Sequence, residues 1–130
     1  MHREYLLIVT AIGEAGTGLL LLVWPPILLA LLLGVDQASP ETSCCARIAG
    51  AALLAIGVVC WLGRSTALGP SQFGLIVGVL IYDVAATAIL AYTGLFLRLV
   101  GVALWPAVVL HAALAGWCFV CLQKGSRQIS

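Results

Sequence analysis

An all-α integral membrane fold, an antiparallel bundle of four spanning helices, is the class this sequence predicts, and three observations predict it. Of the 130 residues, 63% are hydrophobic and only 8% charged, against roughly 25% charged in a soluble domain. The apolar residues gather into four runs, each at or above the roughly 20 residues that cross a bilayer. Short segments rich in Gly, Pro, Ser and charge separate the runs. A chain of this length cannot bury so much apolar surface in a soluble core, whereas hydrocarbon accepts it.

The whole chain, 1–130, reads as one four-span domain. Its first run goes from Tyr5 to Leu33 and carries "VWPPILL". Pro25 and Pro26 remove two backbone donors and clash with the preceding turn, so a helix is expected over about 5–24, kinked or broken there, with a continuation to 33. No small-x-small cleavage site leads into a polar chain, which argues against a signal peptide and for a retained helix. In the loop "GVDQASPETS", Ser39 reads as a cap, Pro40 as the first helical residue and Glu41 as first-turn acid, opening a second helix over about 41–62. Pro70 opens a third over about 71–92; Thr93 to Leu95 is expected to be a tight connection, and a fourth helix to cover about 96–122.

Arg3, Arg64, Lys124 and Arg127 fall on the side of this topology that holds both termini, against Arg47 and Arg98, with Asp36 and Glu41, on the other. The positive-inside rule then places both termini in the cytoplasm of a multi-pass protein of the cell (inner) membrane. A net charge of +1 with scattered basic residues gives no grip for nucleic acid. The partners expected are the lipid bilayer and either further copies of the chain or a larger membrane complex. "VWPPILLALLLG" and "LWPAVVLHAALAG" share Trp-Pro followed by an apolar run ending in Gly, which reads as coincidence at an interface rather than as an inverted repeat.

Ionisable residues inside the runs carry the functional signal. Glu14 lies about 11 residues beyond Arg3, Asp83 about 11 beyond Gln72, and His111 about 13 before Lys124, which places all three roughly 16 to 20 Å deep, near the middle of a core about 30 Å thick. A charge there costs at least about 2.5 kcal/mol, so such groups turn inward and mark ion or proton paths. Thr10, Glu14 and Thr17 share one face of the first helix; Asp83 and Thr87 make a polar edge on the third. Arg47, in "CCARIAG", is a candidate to point inward toward Asp83 or Glu14. The bland alternative has Glu14 and Asp83 as protonated glue between helices, with no substrate.

His111 has only His2 as a fellow histidine, so a two-histidine haem site inside the chain is excluded and no cofactor is expected. The five cysteines read first as small buried hydrophobes. Cys44 and Cys45 near one mouth and Cys118 and Cys121 near the other are weaker candidates for a thiophilic metal relay. The Gly74–Gly78 GxxxG element and the Ala46/Gly50 pair are packing signals for the internal bundle or for a homo-oligomer, the internal use coming first in a four-helix protein.

Gly18 to Pro25, then Leu33-Gly34, a short loop, and "ARIAGAALLAIG" with Arg47, Gly50 and Gly57 resemble the DoxX-like group of small bacterial four-helix membrane proteins over the first two helices. The resemblance implies an antiparallel four-helix bundle and adds the possibility of accompanying a membrane oxidase; it transfers no catalytic residue. Glu14, Gly16 and Thr17 also look like the first helix of the small multidrug resistance transporters, from which Asp83 and His111 depart. The function expected is proton-linked movement of a small solute or ion through a Glu14, Asp83 and His111 site, by an oligomer rather than an enzyme. Its rival is a non-catalytic accessory subunit of a larger redox complex, and thiol-dependent metal passage stands third.

Overall fold

The computed structural model describes residues 2–35, 37–65 and 70–129, residue 2 and residues 125–129 by backbone alone. Among the described residues five helices follow one another: α1 (His2–Val23), α2 (Pro25–Leu33), α3 (Pro40–Gly63), α4 (Pro70–Leu95) and α5 (Leu104–Ile129). Four of them, all but α2, are long and apolar enough to cross a membrane. The chain is therefore an all-α, multi-pass membrane bundle. Asp36 and the side chain of Arg127, both used in the charge count above, lie outside the described residues.

Local chemistry sets the helix ends. α1 stops at Val23 because Pro25 and Pro26 cannot continue its hydrogen bonding. Trp24 leaves the helical region at φ −139°, ψ 67°, and α2 restarts with Pro at its first positions. Gly34 closes α2 in the left-handed conformation, φ 68°, its N–H donating to Ala30 O at 2.9 Å. Ser39 caps α3, its Oγ accepting from Thr42 N–H at 3.2 Å, with Pro40 leading and Glu41 in the first turn.

The last helix departs from expectation. It starts at Leu104, not Phe96, while α4 runs on through the Thr93–Leu95 connection to Leu95. The reason is Pro106. Inside a helix over 96–122 it would remove a bond and clash one turn back, whereas a start at Leu104 puts it in the first turn, where the N–H has no partner to lose. Arg98, placed by the sequence at the outer end of that helix, sits instead in the 96–103 connector at φ 58°.

That connector ties the far end of the bundle together. Gly101 N–H donates to Leu32 O at 2.9 Å and Ala103 N–H to Leu31 O at 2.8 Å. These bonds occupy carbonyls that the end of α2 leaves free, a need that lipid cannot meet. Gly101 is required: a Cβ there would run into Leu31 O, with Ala30 O at 2.7 Å.

The helices pack mainly as two pairs, α1 on α3 and α4 on α5. In the first pair the backbones nearly touch, since a Cβ on Gly18 would lie 2.6 Å from Gly50 O and one on Gly57 would lie 2.8 Å from Ala15 N. Small residues that let backbones approach are the means of association in lipid, where no hydrophobic force joins helices. The core where the pairs meet holds Leu6, Leu7, Ala11, Cys60, Ile76 and Leu114 with Cys118 and Cys121.

Gly74 and Gly78 correct the packing expectation: both are exposed, with nothing near where a Cβ would stand. The inward stripe of α4 is Gln72, Ile76, Val79 and Asp83. Residues two positions off that stripe face outward on a helix of 3.6 residues per turn.

Candidate functional site

Three helices deliver one ionisable group each to a single point. Glu14 comes from the buried face of α1 that also holds Thr10 and Ala11, and Asp83 from the inward stripe of α4. His111 comes from the line Leu104, His111, Leu114, Cys118 along α5. Glu14, Asp83 and His111 each offer one ligand atom, and these atoms lie within 4.8 Å of one another. Asp83 is 0% exposed and Glu14 5%. Convergence follows from periodicity: each residue shares its helix's inward face, and the helices that carry them all border the same core.

Within the cluster His111 Nδ1–H donates to Asp83 Oδ1 at 2.8 Å, bridging α5 to α4. The second oxygen, Asp83 Oδ2, is buried without a partner, as is Thr10 Oγ1 one turn before Glu14. Buried polar atoms are rarely left so, because each forfeits the free energy of its lost water. Tyr82 completes the arrangement. Its hydroxyl lies within electrostatic reach of the Glu14 carboxylate, and its ring stands edge-on to His111, centroids 5.6 Å apart at 82°.

No family model, curated protein or solved structure matches this chain. The site's meaning therefore rests on its own geometry.

The other residues singled out in the sequence fare differently. Thr87 donates its hydroxyl to the backbone carbonyl of Asp83 at 2.7 Å, so it serves the α4 backbone and not the cluster's side chains. Thr17 is half-buried on α1, beyond Glu14. Arg47 does not turn inward. Its side chain is exposed, because the bundle-facing residues of α3 are Ala46, Gly50, Gly57 and Cys60, and the neighbour of Ala46 points about 100° away. A long Arg stem near a helix end reaches water instead.

Among the cysteines, Cys44 and Cys45 are exposed, whereas Cys60, Cys118 and Cys121 are buried, all as free thiols. Cys60 and Cys118 lie within electrostatic reach of Asp83. The sequence reading missed Tyr82. A tyrosine within a span buries its ring and still needs a partner for its hydroxyl, and its place beside Asp83 was the available signal.

Proposed function

We propose that this protein moves a small solute or ion across the membrane with proton coupling, Glu14 and Asp83 accepting protons and His111 acting as their partner. One observation carries the reading: three ionisable side chains from three spanning helices meet inside an apolar bundle, their ligand atoms within 4.8 Å. Lipid-exposed charge is costly, and groups gathered in this way are the usual parts of proton and ion paths. The titratable groups within electrostatic reach of Glu14 are Asp83 and Tyr82 from α4, His111 from α5 and Cys60 from α3, and Cys118 lies within reach of Asp83. In this reading the termini are cytoplasmic, the membrane is the inner one, and several copies together make the pathway.

The test is reconstitution of the purified chain in liposomes holding a pH-sensitive dye, with a panel of sodium, potassium, zinc, manganese and guanidinium salts outside. The wild type should show luminal pH changes driven by at least one of these. Glu14→Gln and Asp83→Asn should abolish them while eluting normally from a sizing column. Unchanged flux in both variants would remove the proposal. The accessory-subunit reading, toward which the DoxX-like resemblance leans, predicts instead no flux and undiminished co-purification of both variants with a larger complex.

A further inference from the structure

We propose that Glu14, Asp83 and His111 form a binding site for one divalent transition-metal ion of the Zn2+ or Co2+ type. The inference rests on reading the cluster as an ion-handling site and names the class of ion it takes.

Size comes first. Three ligand atoms within 4.8 Å of one another match the span of a single ion's coordination shell, whereas an organic solute needs a pocket of about 300 Å³ or more. An open apolar groove runs between α1 and α3, lined by Ala11, Ala15, Gly57, Val58 and Trp61 among others, and none of the three cluster residues borders it. A bare ion suits the cluster. Metal–ligand bonds of about 2.0–2.2 Å put neighbouring ligand atoms roughly 3.3 Å apart in a tetrahedron, so the widest pair closes by about 1.5 Å on binding.

Charge comes second. Two carboxylates and a neutral imidazole bear two negative charges, which a divalent ion cancels and a monovalent ion does not. In a hydrocarbon setting a neutral assembly avoids the cost of a buried net charge. Donor type comes third. Ca2+ and Mg2+ seek six or more oxygens, whereas one imidazole with two carboxylates suits the borderline metals.

The unpartnered atoms supply the independent mark of a ligand. Asp83 Oδ2 is buried, holds no hydrogen bond and belongs to a carboxylate whose other oxygen His111 already orients. Thr10, 1% exposed, leaves its hydroxyl unpartnered on the same face of α1 as Glu14. An ion at the cluster gives Asp83 Oδ2 a partner. On binding, the ion takes the place of the hydrogen bond between Asp83 and His111, the imidazole proton moving to Nε2 so that Nδ1 and the Asp83 carboxylate both ligate.

The experiment titrates Co2+ into the full chain, purified in detergent without a polyhistidine tag and with all five cysteines changed to Ser so that thiols cannot contribute. One Co2+ per chain with visible d–d absorption is expected. Its affinity should fall at least tenfold in Glu14→Gln, Asp83→Asn and His111→Gln, each shown folded by its sizing profile and helical circular dichroism. Zn2+ should displace Co2+, and a large excess of Mg2+ should not. Absence of Co2+ binding, or binding undiminished in Glu14→Gln and Asp83→Asn, overturns the metal site. Proton flux that persists in liposomes with a different ion, alongside absent Co2+ binding, refutes the metal and leaves the proton-linked function standing.

Discussion

His111 Nδ1 donates to Asp83 Oδ1 over 2.8 Å, joining α5 to α4 where Asp83 is wholly buried. This pair is the sole side chain to side chain hydrogen bond between α4 and α5 among those seen for the described residues, and Asp83 shares the buried face of α4 with Ile76 and Val79. The bond has an asymmetric consequence. Removing one partner strands the other, while removing both leaves an apolar contact.

His111→Leu alone is therefore expected to destabilise the bundle by about 3 kcal/mol, the scale seen when one member of a buried pair is lost. The double variant Asp83→Leu, His111→Leu should be much closer to the wild type. Unfolding of the purified protein in mixed micelles, run as a double-mutant cycle, measures the coupling. A coupling energy indistinguishable from zero would show that the pair does not hold α4 to α5.

How far the sequence disclosed this site can be judged residue by residue. Glu14, Asp83 and His111 were legible because depth follows from counting residues at a fixed rise, and because hydrocarbon leaves an ionisable side chain few places to turn. Helix rotation was not legible from small-residue motifs. Gly74 and Gly78 look like a packing face, yet Gln72, Ile76, Val79 and Asp83 claim the inward side of α4 and turn the glycines outward. The start of α5 is encoded by Pro106, which outweighs the apolar run that begins at Phe96. The bonds from Gly101 and Ala103 to α2 depend on tertiary approach of distant segments, which no local pattern encodes.

The glycines yield a prediction with opposite signs. Gly50→Val puts side-chain atoms where Gly18 O and Leu21 Cβ already stand, 2.7 and 2.8 Å from a Cβ, and Gly101→Ala collides with the end of α2. Each should cost roughly 1–3 kcal/mol as an overpacked site. Gly78→Ala meets nothing within 4 Å, and it should be neutral or stabilising by up to about 1 kcal/mol from helix propensity. Thermal unfolding of the three variants in one detergent decides the order. Equal losses at Gly50 and Gly78 would contradict the α1–α3 crossing described above.

Thiol exposure predicts a labelling pattern that also reads topology. Cys44 and Cys45 are exposed near the start of α3, whereas Cys60, Cys118 and Cys121 are buried. A maleimide should therefore modify two of the five cysteines in the folded protein and all five after denaturation, as counted by intact mass. With cytoplasmic termini, a membrane-impermeant maleimide applied to cells with a permeabilised outer barrier should reach Cys44 and Cys45. Labelling only after the inner membrane is opened would invert the proposed orientation.

Tyr82 gives the most specific test of how the site is organised. Its hydroxyl lies within electrostatic reach of Glu14 while its ring stands edge-on to His111, so Tyr82→Phe keeps the ring contact and withdraws only the hydroxyl. Glu14 is 5% exposed, and water cannot readily replace the lost donor. The expected loss is about 1–3 kcal/mol, the cost of leaving a buried polar group short of a partner. Because the ring remains, the α4–α5 packing should survive, and Asp83→Asn should cost the same in the Tyr82→Phe background if Tyr82 acts on Glu14 alone. The proton-linked flux assay adds a readout that fold stability does not control: Tyr82→Phe should slow flux without abolishing it, since Glu14 keeps Asp83 and His111 beside it. Full wild-type flux and stability in Tyr82→Phe would remove Tyr82 from the site.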